Sequence, residues 1–164
     1  MAGGTVEGHA RHSERAVFTN QYNEGIAPVI CYESVYGDYV GQYMRKGANA
    51  IFIMTNDGWW DKTPGHVQHL KFASLRAIEH RRSVARSANT GISAFIDQRG
   101  RILDQIKYDK EDTLSGSIRF NKNITFYSRW GDLIARIAIL LSIILIISGT
   151  VRRFIKPKAP AKSS

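Results

Sequence analysis

Only one of the 164 residues is a cysteine, Cys31. A lone thiol excludes an internal disulfide, so cysteine usage carries no mark of the redox compartment. The opening residues, Met1-Ala-Gly-Gly-Thr-Val-Glu-Gly-His-Ala-Arg11, have no apolar core and do not read as a signal peptide. Acid is missing from the other end: the stretch from Val151 carries Arg152, Arg153, Lys156, Lys158 and Lys162 with no carboxylate. Those five cations supply more than half of the formal charge of +9. The basic character is therefore a property of the tail and not a stripe across a face, and no nucleic-acid partner is expected. A composition 43% hydrophobic and 23% charged excludes a disordered chain, and the length suits one domain.

The richest stretch is Ala27-Pro-Val-Ile-Cys31-Tyr-Glu-Ser-Val-Tyr-Gly-Asp38. Ala27 to Cys31 reads as a strand buried on both faces. Val35, Tyr39, Val40, Tyr43 and Met44 then recur at helical spacing, and Gly47 stands where that helix would end. A cysteine at such a strand-to-helix turn is pushed out of the sheet toward helix amides, which favour thiolate over thiol. That is a nucleophile's geometry, although a lone cysteine is also often a small buried hydrophobe.

Ala50 to Thr55 predicts a second buried strand, parallel to the first across a βαβ unit. Asn56-Asp-Gly-Trp-Trp-Asp61 follows as a loop on the same sheet edge as Cys31, the edge where open α/β sheets bind ligands. Thr63 and Pro64 start a helix expected to run to about Arg82, burying Val67, Leu70, Ser74, Ala77 and Ile78, with Arg81 and Arg82 in its last turn. Further strands are expected over 83–89, 92–97 and 101–108, with a short one at 118–120 and an edge strand at 15–19. Asn89-Thr-Gly91 and Gln98-Arg-Gly100 read as tight turns.

The last structured piece, Leu133 to Val151, holds twelve Leu, Ile and Val residues. At ~1.5 Å per residue it is just long enough to cross a bilayer. Those side chains favour insertion by roughly 4–7 kcal/mol, against at most ~3 for Arg136. Tyr127 and Trp130 stand where an aromatic belt would lie. The organisation expected is a domain over 1–126, a transmembrane helix over 127–151 and a basic tail over 152–164. By the positive-inside rule the tail is cytoplasmic, which in a bacterium places the domain on the periplasmic side of the inner membrane.

Three blocks together carry a family likeness: Val29-Ile-Cys31-Tyr-Glu33; Ala48-Asn-Ala-Ile-Phe-Ile-Met-Thr-Asn56-Asp-Gly-Trp59; and His66-Val-Gln-His69-Leu with Arg76-Ala-Ile-Glu79 and Arg86-Ser-Ala-Asn89-Thr-Gly91-Ile. At these separations the chain resembles the nitrilase (carbon–nitrogen hydrolase) superfamily, and within it the branch that acylates lipoproteins. The resemblance implies an α/β fold, part of an αββα sandwich followed by one C-terminal transmembrane helix. It also implies an acyltransferase whose cysteine takes an acyl group from a phospholipid donor as a thioester. The group then passes to the N-terminal amine of a lipoprotein acceptor, at the lipid bilayer. Carried over by position, Cys31 is the nucleophile, Glu33 the supporting catalytic glutamate, and Tyr32 lines the substrate pocket. Trp59 and Trp60 read as pocket wall or lipid-facing surface, with core as the alternative; for Glu33 the alternative is a capping or surface carboxylate. Other readings are an amidase acting on small amides and an inert membrane-anchored remnant.

No cofactor is implied. His66 and His69 lie one helical turn apart but lack a third ligand of matching placement, so no metal is expected. Arg76, Glu79 and Arg86 are expected to form an ion network under the sheet. The family's machinery also includes a base glutamate and an oxyanion-stabilising lysine upstream of the cysteine. Glu7, Glu14 and Glu24 lack the strand context of that base, and residues 1–30 lack the lysine's setting. The expectation is a C-terminal half of such an enzyme, inactive unless a missing N-terminal half joins it.

Overall fold

The computed structural model describes residues 14–154. Glu7 and the tail lysines Lys156, Lys158 and Lys162 lie outside the described residues. A six-stranded sheet runs in the order β1 (Phe18–Thr19), β2 (Gly25–Ile30), β3 (Ala48–Thr55), β4 (Val84–Ala88), β5 (Ser93–Ile96), β6 (Ile102–Ile106). β2, β3 and β4 are parallel neighbours, while β1, β5 and β6 join antiparallel. The βαβ unit expected around Cys31 is present, with α1 (Gly37–Arg45) as its crossover. α2 (Gly65–His80) connects β3 to β4.

The register sets which side chains share a face. Ala27 pairs with Ile51, Val29 with Ile53, Ile51 with Val84, and Val84 with Ile96. All are buried, against Val40, Tyr43 and Met44 of α1 and Leu70, Ala73 and Ala77 of α2. The opposite face is only partly covered: Ile30 and Met54 are exposed, and Phe52, Ala85 and Phe95 are half-buried. β2 is thus an alternating strand and not one buried on both sides. A parallel strand reads as continuously apolar when helices cover both faces; here helices lie on one.

Four other expectations shift. Residues 118–120 form no strand, and the edge strand at 15–19 shrinks to two residues. The buried stripe of α2 is His69, Leu70, Ala73, Arg76, Ala77 and His80, whereas Val67 and Ile78 are exposed. Arg82 does not cap α2 in water. It is fully buried, and its guanidinium donates to the carbonyls of Ala48 (3.0 Å), His80 (3.3 Å) and Asn123 (2.8 Å), pinning the segment after β6 beneath the sheet.

That segment leads to α3 (Phe126–Trp130), whose Thr125 hydroxyl accepts from Ser128 N at 3.0 Å as an N-cap. Ser128 Oγ meets buried His80 Nδ1 at 2.8 Å. Burial, reinforced by the charges of Arg76 and Arg82, lowers the His80 pKa to about 3. Between that value and the ordinary histidine range near 6.5, the unfolded chain binds a proton that the folded one refuses. Stability is therefore full above this window and falls as pH drops through it, by up to about 1.4 kcal/mol per pH unit. His80→Gln is expected to flatten that slope in urea-unfolding series taken between pH 4 and pH 6.5; an unchanged slope contradicts the assignment.

One compact unit ends at Gly131 and a second begins at Asp132. The second consists of α4 (Leu133–Phe154). Its stretch Leu133–Arg153 is long and apolar enough to cross a membrane, and its side chains are unburied. Ser142 and Thr150 return their hydroxyls to the carbonyls of Ala138 (2.8 Å) and Ile146 (3.0 Å), which hides polar atoms along an apolar helix. Tyr127 and Trp130 belong to α3 and not to this helix.

Candidate active site

β2 delivers Cys31 to the carboxyl edge of the sheet, one residue past the Ile30–Met54 pair and so beside Thr55. The cysteine has φ +50°, a left-handed conformation that is uncommon for a residue with a side chain. It opens a 3₁₀ turn, Cys31–Val35, and α1 starts only at Gly37. A tighter turn therefore follows the cysteine in place of the α-helix expected there. Cys31 is half-buried.

Glu33 is the clasp of this turn. Its carboxylate accepts from Ile30 N at 2.8 Å and from the Tyr39 hydroxyl, with Arg15 stacked 3.7 Å over the Tyr39 ring. Burial and the bond to Glu33 push the Tyr39 phenol pKa up. Glu33 thus reaches the backbone of the elbow and not the sulfur. Tyr32 and Trp60 come together, ring centroids 6.2 Å apart, and both approach His69, at 6.0 and 5.4 Å. Trp59 points into solvent, 87% exposed.

Beneath these rings lies a buried ionic cluster that sequence reading missed. Asp57 is fully buried. Its Oδ1 faces Thr55 Oγ1 at 2.9 Å and His69 Nδ1 at 2.8 Å, and its Oδ2 receives Arg86 Nη2 at 2.6 Å. Arg86 also donates to Ile92 O at 2.6 Å. On the far side of the ring from Asp57, His69 Nε2 lies 2.9 Å from Ser34 Oγ and 3.2 Å from Cys31 O, and Ser34 donates to Cys31 O at 2.8 Å. Thr55 Oγ1 lies 3.3 Å from Cys31 Sγ. One carboxylate therefore anchors both the carbonyl and the sulfur of the cysteine. Burial alone would raise the Asp57 pKa, yet the donors His69, Arg86 and Thr55 hold it down to about 2.

His66 packs on Tyr108 with centroids 4.4 Å apart, so His66 and His69 diverge. Arg76 pairs with Glu79 (3.2 Å) on α2 and Arg86 pairs with Asp57, two separate ion pairs in place of the single network expected. The signals for the cluster were Thr55-x-Asp57 at a strand end and the phase that turns His69 inward.

Gly91 lies against it with φ +139°; a Cβ there would stand 2.7 Å from Asp57 Oδ2 and 3.0 Å from Asp57 Cβ. Gly91→Ala is expected to cost about 1–3 kcal/mol in urea unfolding. A cost below 0.5 kcal/mol on the scale of ordinary surface changes contradicts the close approach.

The sheet, its one-sided helices and the cysteine elbow define an α/β protein with a nitrilase-like fold. Two solved structures share it: Saccharomyces cerevisiae Nit3, a member of branch 10 of the nitrilase superfamily (19% identity, TM-score 0.54, covering 62% of this chain and 40% of that one), and an amidase from Nesterenkonia sp. (17%, TM-score 0.50, 60% and 39%). The sequence model of the carbon-nitrogen hydrolase family matches residues 8–124, and the chain belongs to that family. Curated relatives include the apolipoprotein N-acyltransferases of Chlorobaculum tepidum, 34% identical over 128 residues, and of Bradyrhizobium diazoefficiens, 36% identical over 161 residues. These matches take in 78% and 98% of this chain but only 24% and 28% of the relatives, so the chain spans about a quarter of their length.

Proposed function

We propose that the chain carries the nucleophile-bearing part of a lipoprotein N-acyltransferase, with Cys31 as nucleophile. The observation that carries this reading is the position of Cys31: half-buried, in a strained elbow at the carboxyl edge of β2, beside the Tyr32–Trp60 ring pair. The sulfur attacks the ester carbonyl of a phospholipid. An S–C bond forms, the ester C–O bond breaks, and the thiol proton ends on the departing lysophospholipid oxygen. The lipoprotein's N-terminal amine then attacks the thioester; an N–C bond forms, the C–S bond breaks, and the amine proton returns to sulfur. A thioester divides one difficult transfer into two easier ones. Glu33 holds the elbow's backbone, and Tyr32, Trp60 and the exposed Trp59 receive the acyl and headgroup portions.

In this reading α4 spans the bacterial inner membrane, with the sheet on the periplasmic side and the tail cytoplasmic, which tethers the domain to the membrane that carries its lipid substrate. Among the described residues no glutamate or lysine hydrogen-bonds the sulfur. In this reading the base and the oxyanion donor that the family resemblance implies are supplied by an N-terminal half of the domain. The test joins this chain in vesicles with the N-terminal portion of the Chlorobaculum tepidum relative, phospholipid and a diacylglyceryl-cysteine lipopeptide. Acylation of the lipopeptide's amine, read by mass spectrometry, is the expected result. Hydrolysis of small amides with no lipopeptide acylation would favour the amidase reading instead, and neither activity would leave an anchored remnant.

A further inference from the structure

Thr55 stands between two claims on one proton. Its hydroxyl has a single hydrogen and two lone pairs. The oxygen lies 2.9 Å from Asp57 Oδ1 and 3.3 Å from Cys31 Sγ, both within reach for their atom types. We propose that Thr55 is a positioning residue for the Cys31 sulfur, an inference that rests on Cys31 being the nucleophile. While the sulfur holds its proton, S–H donates to Thr55 and Thr55 donates to Asp57. When that proton leaves to water, the Thr55 hydroxyl turns and donates to the thiolate, and Asp57 keeps the donors His69 and Arg86.

The geometry makes this exchange affordable only because Asp57 is overprovided. Its carboxylate retains His69 Nδ1 at 2.8 Å and Arg86 Nη2 at 2.6 Å when Thr55 turns away. Thr55 is itself buried and fixed by the ladder, since Asn89 N donates to Thr55 O at 2.9 Å. The charged and titratable groups around the sulfur are Asp57 after β3, His69 on α2, Arg86 on β4, and Tyr32 and Glu33 of its own turn. Of these, Asp57, His69 and Arg86 are linked to one another, and Glu33 is committed to Ile30 N and Tyr39. Thr55 is the side chain among them that hydrogen-bonds the sulfur.

Because the full chain has one thiol, its alkylation by iodoacetamide reports on Cys31 alone. Thr55→Val keeps the shape and drops the hydroxyl. It is expected to displace the pH–rate profile to higher pH, with alkylation at pH 7 roughly tenfold slower, the effect of losing one hydrogen bond to a charged group. Thr55→Ser is expected to restore the wild-type profile. Coincident profiles for wild type and Thr55→Val, or a serine variant that behaves like valine, overturn the proposal. Should the valine variant not fold, the wild-type infrared S–H stretch decides: a hydrogen-bonded donor band supports the arrangement and a free-thiol band refutes it. Neither readout requires acyl transfer, so a failed acylation assay with the Thr55 effect intact removes the functional reading and leaves only the Thr55–sulfur hydrogen bond, whereas acylation without a Thr55 effect removes the positioning role alone.

Discussion

Cys31→Ala is expected to abolish acyl transfer in the reconstituted system, reducing the rate at least about a thousandfold, to uncatalysed aminolysis. The physical reason is that Cys31 is the one thiol of the chain, so the alanine variant has no group to form a thioester. Ser34, a hydroxyl of the same turn, donates to Cys31 O at 2.8 Å and is fully buried. The variant should nonetheless fold. Cys31 is half-buried at the rim, its carbonyl is met by Ser34 and His69 and the preceding Ile30 N by Glu33, none of which the substitution removes. Lipopeptide conversion and the urea midpoint, measured on the same preparation, separate the two effects. Residual transfer above a tenth of wild type would falsify the nucleophile assignment.

The second large effect is on stability. Arg86→Leu is expected to cost about 3–5 kcal/mol in urea unfolding, because it leaves a buried carboxylate without its opposite charge. Both side chains are fully out of water, and Arg86 also satisfies Ile92 O at 2.6 Å. Asp57→Asn in the leucine background should recover part of the loss, since it removes the stranded charge. The acid response should move too. With its pKa held at about 2 against an ordinary value of 3.8, Asp57 contributes stability above 3.8 that is lost as pH falls toward 2. Without Arg86 that loss begins at higher pH. A cost under 1 kcal/mol, or a variant with an unmoved acid limb, contradicts the network.

The sheet was legible because its strands are written in adjacent residues. Val29-Ile30 and Ile51-Phe52-Ile53 announce strands whatever their partners, and the helical spacing between them dictates a parallel crossover. Of the candidate site, only local juxtapositions were legible: Cys31, Tyr32 and Glu33 in one turn, with the tryptophan loop following the neighbouring strand. The α2 stripe went astray because a reading by apolar period places Val67 and Ile78 inward. The fold instead buries His69, Arg76 and His80, which are tolerated because partners meet them. Those partners are remote in sequence: Asp57 and Arg86 are 29 residues apart, and Arg82 and Asn123 are 41. No local pattern announces such pairs. The 3₁₀ elbow was missed for a related reason, since Glu33 and Ser34 fix it through backbone bonds that leave the helical period of α1 intact.

The sulfur at the mouth of the sheet is tested most directly by trapping the intermediate. The chain, reconstituted with the relative's N-terminal portion and phospholipid but no lipopeptide, is quenched and digested, and the peptide bearing Cys31 is weighed. A gain of one fatty acyl group on Cys31, released by hydroxylamine and absent from Cys31→Ala, is the expected result. Lipopeptide acylation that proceeds with an unmodified Cys31, or an adduct that maps to another residue, contradicts it.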